Sequence, residues 1–313
     1  CSPKQGDNIL DCTFGGGGYS KELLKFSSTN IIAFDRDKEV LPVANLIKKK
    51  FQKRFNFHLS KFSNIDKLPE RSVDAVIFDL GVSSLQLDNL ERGFSFKSKS
   101  DLDMDMGLAT LSAKEVINNY DGKILRNIIR YLGDEKQASS IAKNILIKRK
   151  SKIIKTTDEL VDIIKKSKKK VFNQKIDVCT KTFQAIRIFV NKEISELIDG
   201  IIKATKILKP GGKLIVISFH SLEDKIVKFY FKNFASNKSK QNKYQPDLNE
   251  KNLYLFEKYK NKIFIATQEE LNNNRRARSA KLRFVIRNNK KFKEPEELKD
   301  KFKYLLELEG KNA

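Results

Sequence analysis

The chain has 313 residues, 40% of them hydrophobic, with 22 Phe and no Trp. That supply of apolar side chains argues against wholesale disorder, and the length suits one large domain or a domain carrying an insertion. Lys and Arg total 63 against 39 acids, a formal net charge of +24, which favours RNA, DNA or an anionic membrane face as partner, although abundant Lys, Asn and Ile also fit a compositional bias.

Gly6-Asp7 leads into a strand within a few residues, which suggests that the natural N-terminus is longer. Asn8 to Cys12 reads as a short buried strand, followed by the glycine run Gly15 to Gly18 and a helix from Tyr19 to Phe26. Ile31 to Phe34, Phe55 to Leu59 and Val73 to Phe78 read as further strands, with a helix from Val40 to Phe51. Strands alternating with helices predict a parallel, doubly wound α/β sheet.

The stretch from Gly81 to Gly107 is polar and punctuated by Gly, Ser and Asp, so it reads mostly as loop. From Ser112 to about Val178 the apolar spacing is helical throughout, which resembles a helical insertion. A helix from about Lys181 to Leu208 stops at Pro210-Gly211-Gly212, and Lys213 to Ser218 reads as the fifth strand. Leu222 to Phe234 reads as another helix, and Asn237 to Asn252 as a mobile polar loop. Lys262 to Thr267 and Ala280 to Arg287 read as two closing strands. A charged amphipathic helix ends the chain. The expected division is a discontinuous domain, 1–105 with 182–313, and an insertion, 106–181.

Cys1, Cys12 and Cys179 show no close pairing or metal-ligand spacing, and two histidines do not make a zinc site. The chain therefore reads as reduced, cytoplasmic and metal-free, without a membrane-spanning run or signal-peptide pattern.

In a doubly wound sheet, ligands bind beyond the C-terminal ends of the strands. Asp11, Asp35, Asp79 and Ser218-Phe219-His220 all fall there. The glycine loop lets the backbone approach a ligand, and Asp35 stands where a carboxylate accepts the ribose hydroxyls of an adenosine. Ser20 occupies the place of a third glycine, so the dinucleotide fingerprint is incomplete. With the turn Lys209 to Lys213, this favours S-adenosylmethionine over NAD.

Longer strings carry a more specific signal. Asp79-Leu80-Gly81-Val82-Ser83-Ser84, Gln86-Leu87-Asp88 and Glu91-Arg92-Gly93-Phe94-Ser95-Phe96 closely resemble the bacterial ribosomal RNA small subunit methyltransferase H family, of the MraW type. So do Leu102 to Met106, Arg187 to Glu193, Ser218 to Asp224 and Asn274 to Arg283, in family order. The resemblance implies a Rossmann-like class I fold in which the insertion recognises substrate. It implies N4-methylation of a cytidine in the decoding region of 16S ribosomal RNA, with the small ribosomal subunit as partner. It also implies cofactor contacts at Gly17, Gly18, Tyr19, Asp35, Phe62, Asp79 and Gln86. Tyr19 replaces the family's usual His, which should reshape that contact. Asp105 replaces an Arg, weakening any phosphate-binding role there, and Ser84-Leu85-Gln86 replaces Ser-Pro-Gln, which should loosen the turn. The family's N-terminal segment, with a His-x-Pro-Val type motif, is not in the sequence.

Asp79 and Asp103 are the candidate acids at the reacting centre, and His220 is either a base or a loop-fixing residue. Lys143 to Lys181 holds thirteen Lys/Arg and four acids, and Arg275 to Lys291 eight and none. Arg276, Arg278 and Arg283 are the RNA contacts to test first. Two other readings are an amine methyltransferase acting on DNA or protein, and a silent RNA-binding assembly factor. The intact Asp11, Asp35 and Asp79 argue against the latter. A homodimer is compatible with the sequence.

Overall fold

Side chains alternate across a strand, so strands that are apolar at every position must be covered on both faces. That is the arrangement in the computed structural model, which describes residues 1–26, 28–168, 177–236 and 254–311. The strands β1 (Asn8–Asp11), β2 (Asn30–Asp35), β3 (Phe55–Leu59), β4 (Val73–Asp79), β5 (Leu208–Ser218) and β6 (Lys281–Ile286) form one sheet in the order β3-β2-β1-β4-β5-β6. The first five are parallel, and β6 returns antiparallel to β5. This is the α/β class expected, with the order reversing between β1 and β4.

The crossovers include α1 (Gly18–Leu23) and α2 (Leu41–Phe51), the latter with Pro42 in its first turn. Ile9, Ile31, Ala33, Phe55, Ala75, Ile77 and Ile215 share one sheet face and cluster with Leu23, Leu24, Ala44 and Ile47. The opposite parity, with Leu10, Val76, Phe78, Leu214 and Val216 all buried, faces the other way. Each such side chain contributes roughly 1.5–3 kcal/mol by leaving water.

The remaining helices, in chain order, are α3 (Ser84–Asp88), α4 (Ala113–Asn119), α5 (Gly122–Asn127), α6 (Ala138–Ser151), α7 (Thr157–Ser167) and α8 (Thr180–Asn191). Then come α9 (Glu193–Ile207), α10 (Ser221–Asn233), α11 (Gln268–Asn273) and α12 (Glu296–Glu309). The end of α5 runs into a π-helical turn, Ile128–Leu132. No helix among the described residues is long and apolar enough to cross a membrane.

The chain divides into two units, Cys1–Gly81 with Glu196–Phe302, and Val82–Ser195 with Lys303–Ala313. The sheet belongs to the first and α3 to α8 to the second. The second unit is knit by buried polar bonds. Asn191 donates to the Met104 carbonyl at 2.7 Å and accepts from the Met106 amide at 2.9 Å. Glu309, near the end of α12, accepts from the first-turn amides of Ile194 and Ser195 at 3.0 and 2.8 Å, capping α9.

Four local expectations need correction. The helix from Lys181 to Leu208 is two helices, because Lys192 adopts a left-handed conformation, φ 51°, between α8 and α9. Lys262 to Thr267 makes no strand; its backbone meets β6 in one antiparallel bridge, Phe264 to Leu282, and the Phe264 ring packs on Phe284. The turn at Pro210 lies inside the span of β5, where the pairing with β4 shifts register. The Ser84-Leu85-Gln86 turn is not left loose, since Ser83 and Gln86 cap each other, amide to side chain in both directions, at 2.9 and 3.2 Å. The loop expected at Asn237 to Asn252 lies outside the described residues.

Candidate functional site

Parallel pairing aligns the strand ends. Asp11 lies opposite Ile77, Asp35 opposite Leu59, and Asp79 opposite Ile217. The three carboxylates therefore share the C-terminal edge of the sheet around the place where the strand order reverses, the position at which such sheets bind ligands.

The glycine loop closes over this edge. Gly15 and Gly17 have φ of 50° and 73°, and a Cβ on Gly17 would meet Ile47 Cδ1 and Phe14 Cζ at 2.9 Å each. Only glycine fits there. At Gly16 and Gly18 a Cβ would meet nothing within 4 Å, so the backbone borders open space. Asp35 braces the loop from below: its Oδ2 accepts from the Gly15 amide at 2.7 Å and its Oδ1 from the Asp37 amide at 2.9 Å. Burial raises its carboxyl above the ordinary range, opposed by these amides.

Asp11 is fully buried and accepts from the Ser20 hydroxyl at 2.7 Å. Burial pushes its carboxyl up to about 6 despite that bond. Thr13 links Asp11 to Asp79, since its amide donates to Asp11 Oδ1 at 3.3 Å and its hydroxyl accepts from the Asp79 amide at 2.7 Å. Thr13 was not singled out from the sequence, and Ser20 was noted only as standing in place of a third glycine; the usable signal was two small hydroxyls within nine residues of a strand-end aspartate.

Asp79 is the most perturbed of the three. Burial, then the nearby charges of Asp11 and Glu223, push its carboxyl up to about 7, and the Tyr19 phenol, which hydrogen-bonds to it, pulls the other way. Its Oδ1 is buried and has no hydrogen-bond partner among the described residues. A buried acceptor in that state costs about 1–3 kcal/mol unless a ligand donates to it. The Tyr19 ring remains 40% exposed, so one side chain covers Asp79 and faces solvent as well.

Phe62 follows β3, with its ring half-buried and edge-on to Phe78, centroids 5.2 Å apart. A Cβ on Gly200 would come within 2.7 Å of that ring, so Gly200 is what lets α9 lie against it. Gln86 and Asp103 belong to the second unit. Gln86 is buried within its capping box. Burial, then Asp105, raises the Asp103 carboxyl. Asp105 closes a turn, its Oδ1 accepting from the Gly107 and Ala109 amides at 2.7 and 3.1 Å.

His220 has a structural task. Its Nδ1 accepts from the Glu223 amide at 3.4 Å, capping α10, and its Nε2 lies 3.1 Å from Glu223 Oε1. Among the expected RNA contacts, Arg276 and Arg278 are exposed on a short 3-10 turn, Arg275–Ser279. Arg283 is not available for such a contact, because it points inward from β6 and is 1% exposed. It donates to both Asp224 oxygens, at 2.7 and 3.3 Å, and to the Tyr259 hydroxyl at 2.8 Å. Its charge is used to join β6 to α10.

The MraW methylase family matches residues 1–288. The ribosomal RNA small subunit methyltransferase H of Ehrlichia canis (strain Jake) is 41% identical over 290 residues, 91% of this chain and 95% of its own. The protein of the same name from Rickettsia massiliae (strain Mtu5) is 43% identical over 286 residues, 90% of this chain and 92% of its own. A crystal structure of an rRNA methylase from Streptococcus thermophilus aligns with a TM-score of 0.40 at 10% identity, over 91% of this chain and 89% of that one.

Proposed function

The chain belongs to the MraW methylase family, and from that premise we propose that it methylates small-subunit ribosomal RNA with S-adenosylmethionine, at the N4 amine of a cytidine in the decoding region of 16S RNA. The observation that carries this reading is the set of strand-end carboxylates, Asp11, Asp35 and Asp79, gathered beneath a glycine loop whose backbone borders open space.

The residues present fit the cofactor. Gly17, Gly18 and Tyr19 offer backbone and ring at the loop, Asp35 serves the ribose hydroxyls, and Phe62 lies beyond β3 where an adenine would stack. Gln86 is proposed as a further cofactor contact. When bound, the sulfonium supplies an activated methyl group and a neutral leaving group. No metal enters this scheme.

The chain's own task is to align a weak nucleophile. The lone pair of a cytosine amine is delocalised into the ring, so the amine must be held in line and stabilised as it pyramidalises. Asp79 Oδ1, buried and without a partner among the described residues, suits an N–H donor, either the target amine or the cofactor's ammonium. The Tyr19 phenol acts on the same carboxyl and favours its ionised form. Asp103 is proposed as a second acid, its carboxyl already raised by burial. Removing the target base from its stack is a further requirement.

The test is methyl transfer from labelled S-adenosylmethionine to small subunits from a strain lacking the enzyme, followed by digestion of the RNA. Label in N4-methylcytidine supports the reading. Label in protein, DNA or another nucleoside would overturn it.

A further inference from the structure

The second unit carries a basic concavity that the methyl-transfer site does not use. It has a volume of about 380 Å³ and is lined by residues that include Arg126, Arg130, Tyr131, Lys136 and Ser139. Arg126 closes α5, and Arg130 and Tyr131 lie on the π-helical turn that continues it. Such turns are rare and recur at functional sites. Gly133 allows this one to pack tightly, since a Cβ there would meet the Lys181 carbonyl at 2.3 Å.

Among the described residues Arg126, Arg130 and Lys136 have no ion-pair partner. Their nearest acids along the chain are engaged elsewhere, Asp121 with the Lys123 amide at 2.7 Å, Asp134 with Lys181 at 3.4 Å and Glu135 with Lys168 at 2.6 Å. Arg126 and Arg130 reach only neutral acceptors, the Asn127 side chain and the Lys136 carbonyl, each at 3.3 Å. Ser139 stands in the first turn of α6, where no acidic side chain sits, so the positive end of that helix adds to the same field.

Beside the cations is an aromatic pair. Tyr131 and Tyr304 meet edge to face with centroids 4.8 Å apart, and they remain 48% and 46% exposed. Arg126 lies near enough to act electrostatically on the Tyr304 phenol. Unpaired Arg and Lys beside half-exposed aromatic rings is the chemistry of single-stranded RNA, with cations on phosphates and a ring under a base. A protein partner of matching charge would leave the exposed rings without a role.

We propose that this concavity is a docking site for a single-stranded segment of the substrate RNA, held by Arg126, Arg130 and Lys136 on its phosphates and by Tyr131 and Tyr304 on one base. The proposal rests on the ribosomal RNA reading above and locates a contact of the second unit with that substrate.

The probe is a 16S RNA transcript, with binding measured across a salt series and methyl transfer measured in parallel. Arg126→Ala with Arg130→Ala should weaken binding about tenfold or more and reduce the slope of log affinity against log salt by about 1.4. Tyr131→Ala should weaken binding with the slope unchanged, and Tyr131→Phe should restore it. Ser139→Glu places a carboxylate at a first-turn position that favours one, so weakened binding in that variant reflects repulsion rather than unfolding. Cofactor affinity should match the wild type in all of them. Wild-type affinity and slope in the Arg and Glu variants would overturn the docking site while leaving the methylation reading standing. Wild-type methyl transfer to protein or DNA, with the transcript still bound through this face, would overturn that reading instead.

Discussion

Asp79 accepts an N–H most strongly, and can take up a proton, only when ionised, and its surroundings hold the proton on. Burial and the charges of Asp11 and Glu223 push its carboxyl up to about 7. The kcat/KM for methyl transfer should therefore fall as pH drops through about 7, and Asp79→Asn should lower transfer about a hundredfold or more with no such pH arm. A flat profile from pH 6 to 8 would remove Asp79 from the chemistry. Tyr19→Phe deletes the bond that opposes the shift, so the pH midpoint should move up while cofactor affinity changes little. Asp35 has a different role, and Asp35→Ala should weaken cofactor binding by calorimetry. Gly17→Ala should cost about 1–3 kcal/mol in chemical denaturation, because it combines a positive φ with a 2.9 Å clash against Ile47 and Phe14.

At the level of elements, strands were legible where burial on both faces left an uninterrupted apolar run, as in Ala75 to Phe78. Partner choice was not legible. Lys262 to Thr267 has strand-like residues but only one bridge to β6, because pairing is decided by what lies alongside. The break at Lys192 was equally hidden, since nothing in the local sequence marks a lysine for the left-handed region, φ 51°. Glycine pays no penalty there, so Lys192→Gly should raise stability by up to about 1 kcal/mol, read from the denaturation midpoint. Arg283 shows the same limit for the site: charge was readable, but which way a strand residue faces was not. The capping role of His220 was one of two alternatives that spacing alone left open.

Across the whole molecule, buried acids set the response to pH. Asp11 is pushed up to about 6, and Asp79 and Glu309 to about 7. These folded values exceed the unfolded ones, so the native state holds more protons and stability declines as pH rises from about 4 to about 7. The acids held low, Glu115, Glu159 and Asp224, oppose this trend at its acid end, and His58, whose imidazole burial and nearby lysines hold below its ordinary value, offsets part of it towards neutrality. The melting temperature of the cofactor-free protein should fall by roughly a few degrees between pH 5 and pH 7.5. Glu309→Gln should flatten that slope while lowering stability overall, since it surrenders acceptors for the Ile194 and Ser195 amides. An unchanged slope would assign the effect to other groups.

The second unit takes its last contribution from Lys303–Ala313. That stretch brings Glu309 to cap α9 and Tyr304 to meet Tyr131. During synthesis, residues 82–195 leave the ribosome well before these partners exist, so this unit waits with one buried helix end uncapped. Its folding then waits for Lys303–Ala313 to emerge, and a nascent chain stalled before Lys303 should stay sensitive to protease in α8 and the start of α9.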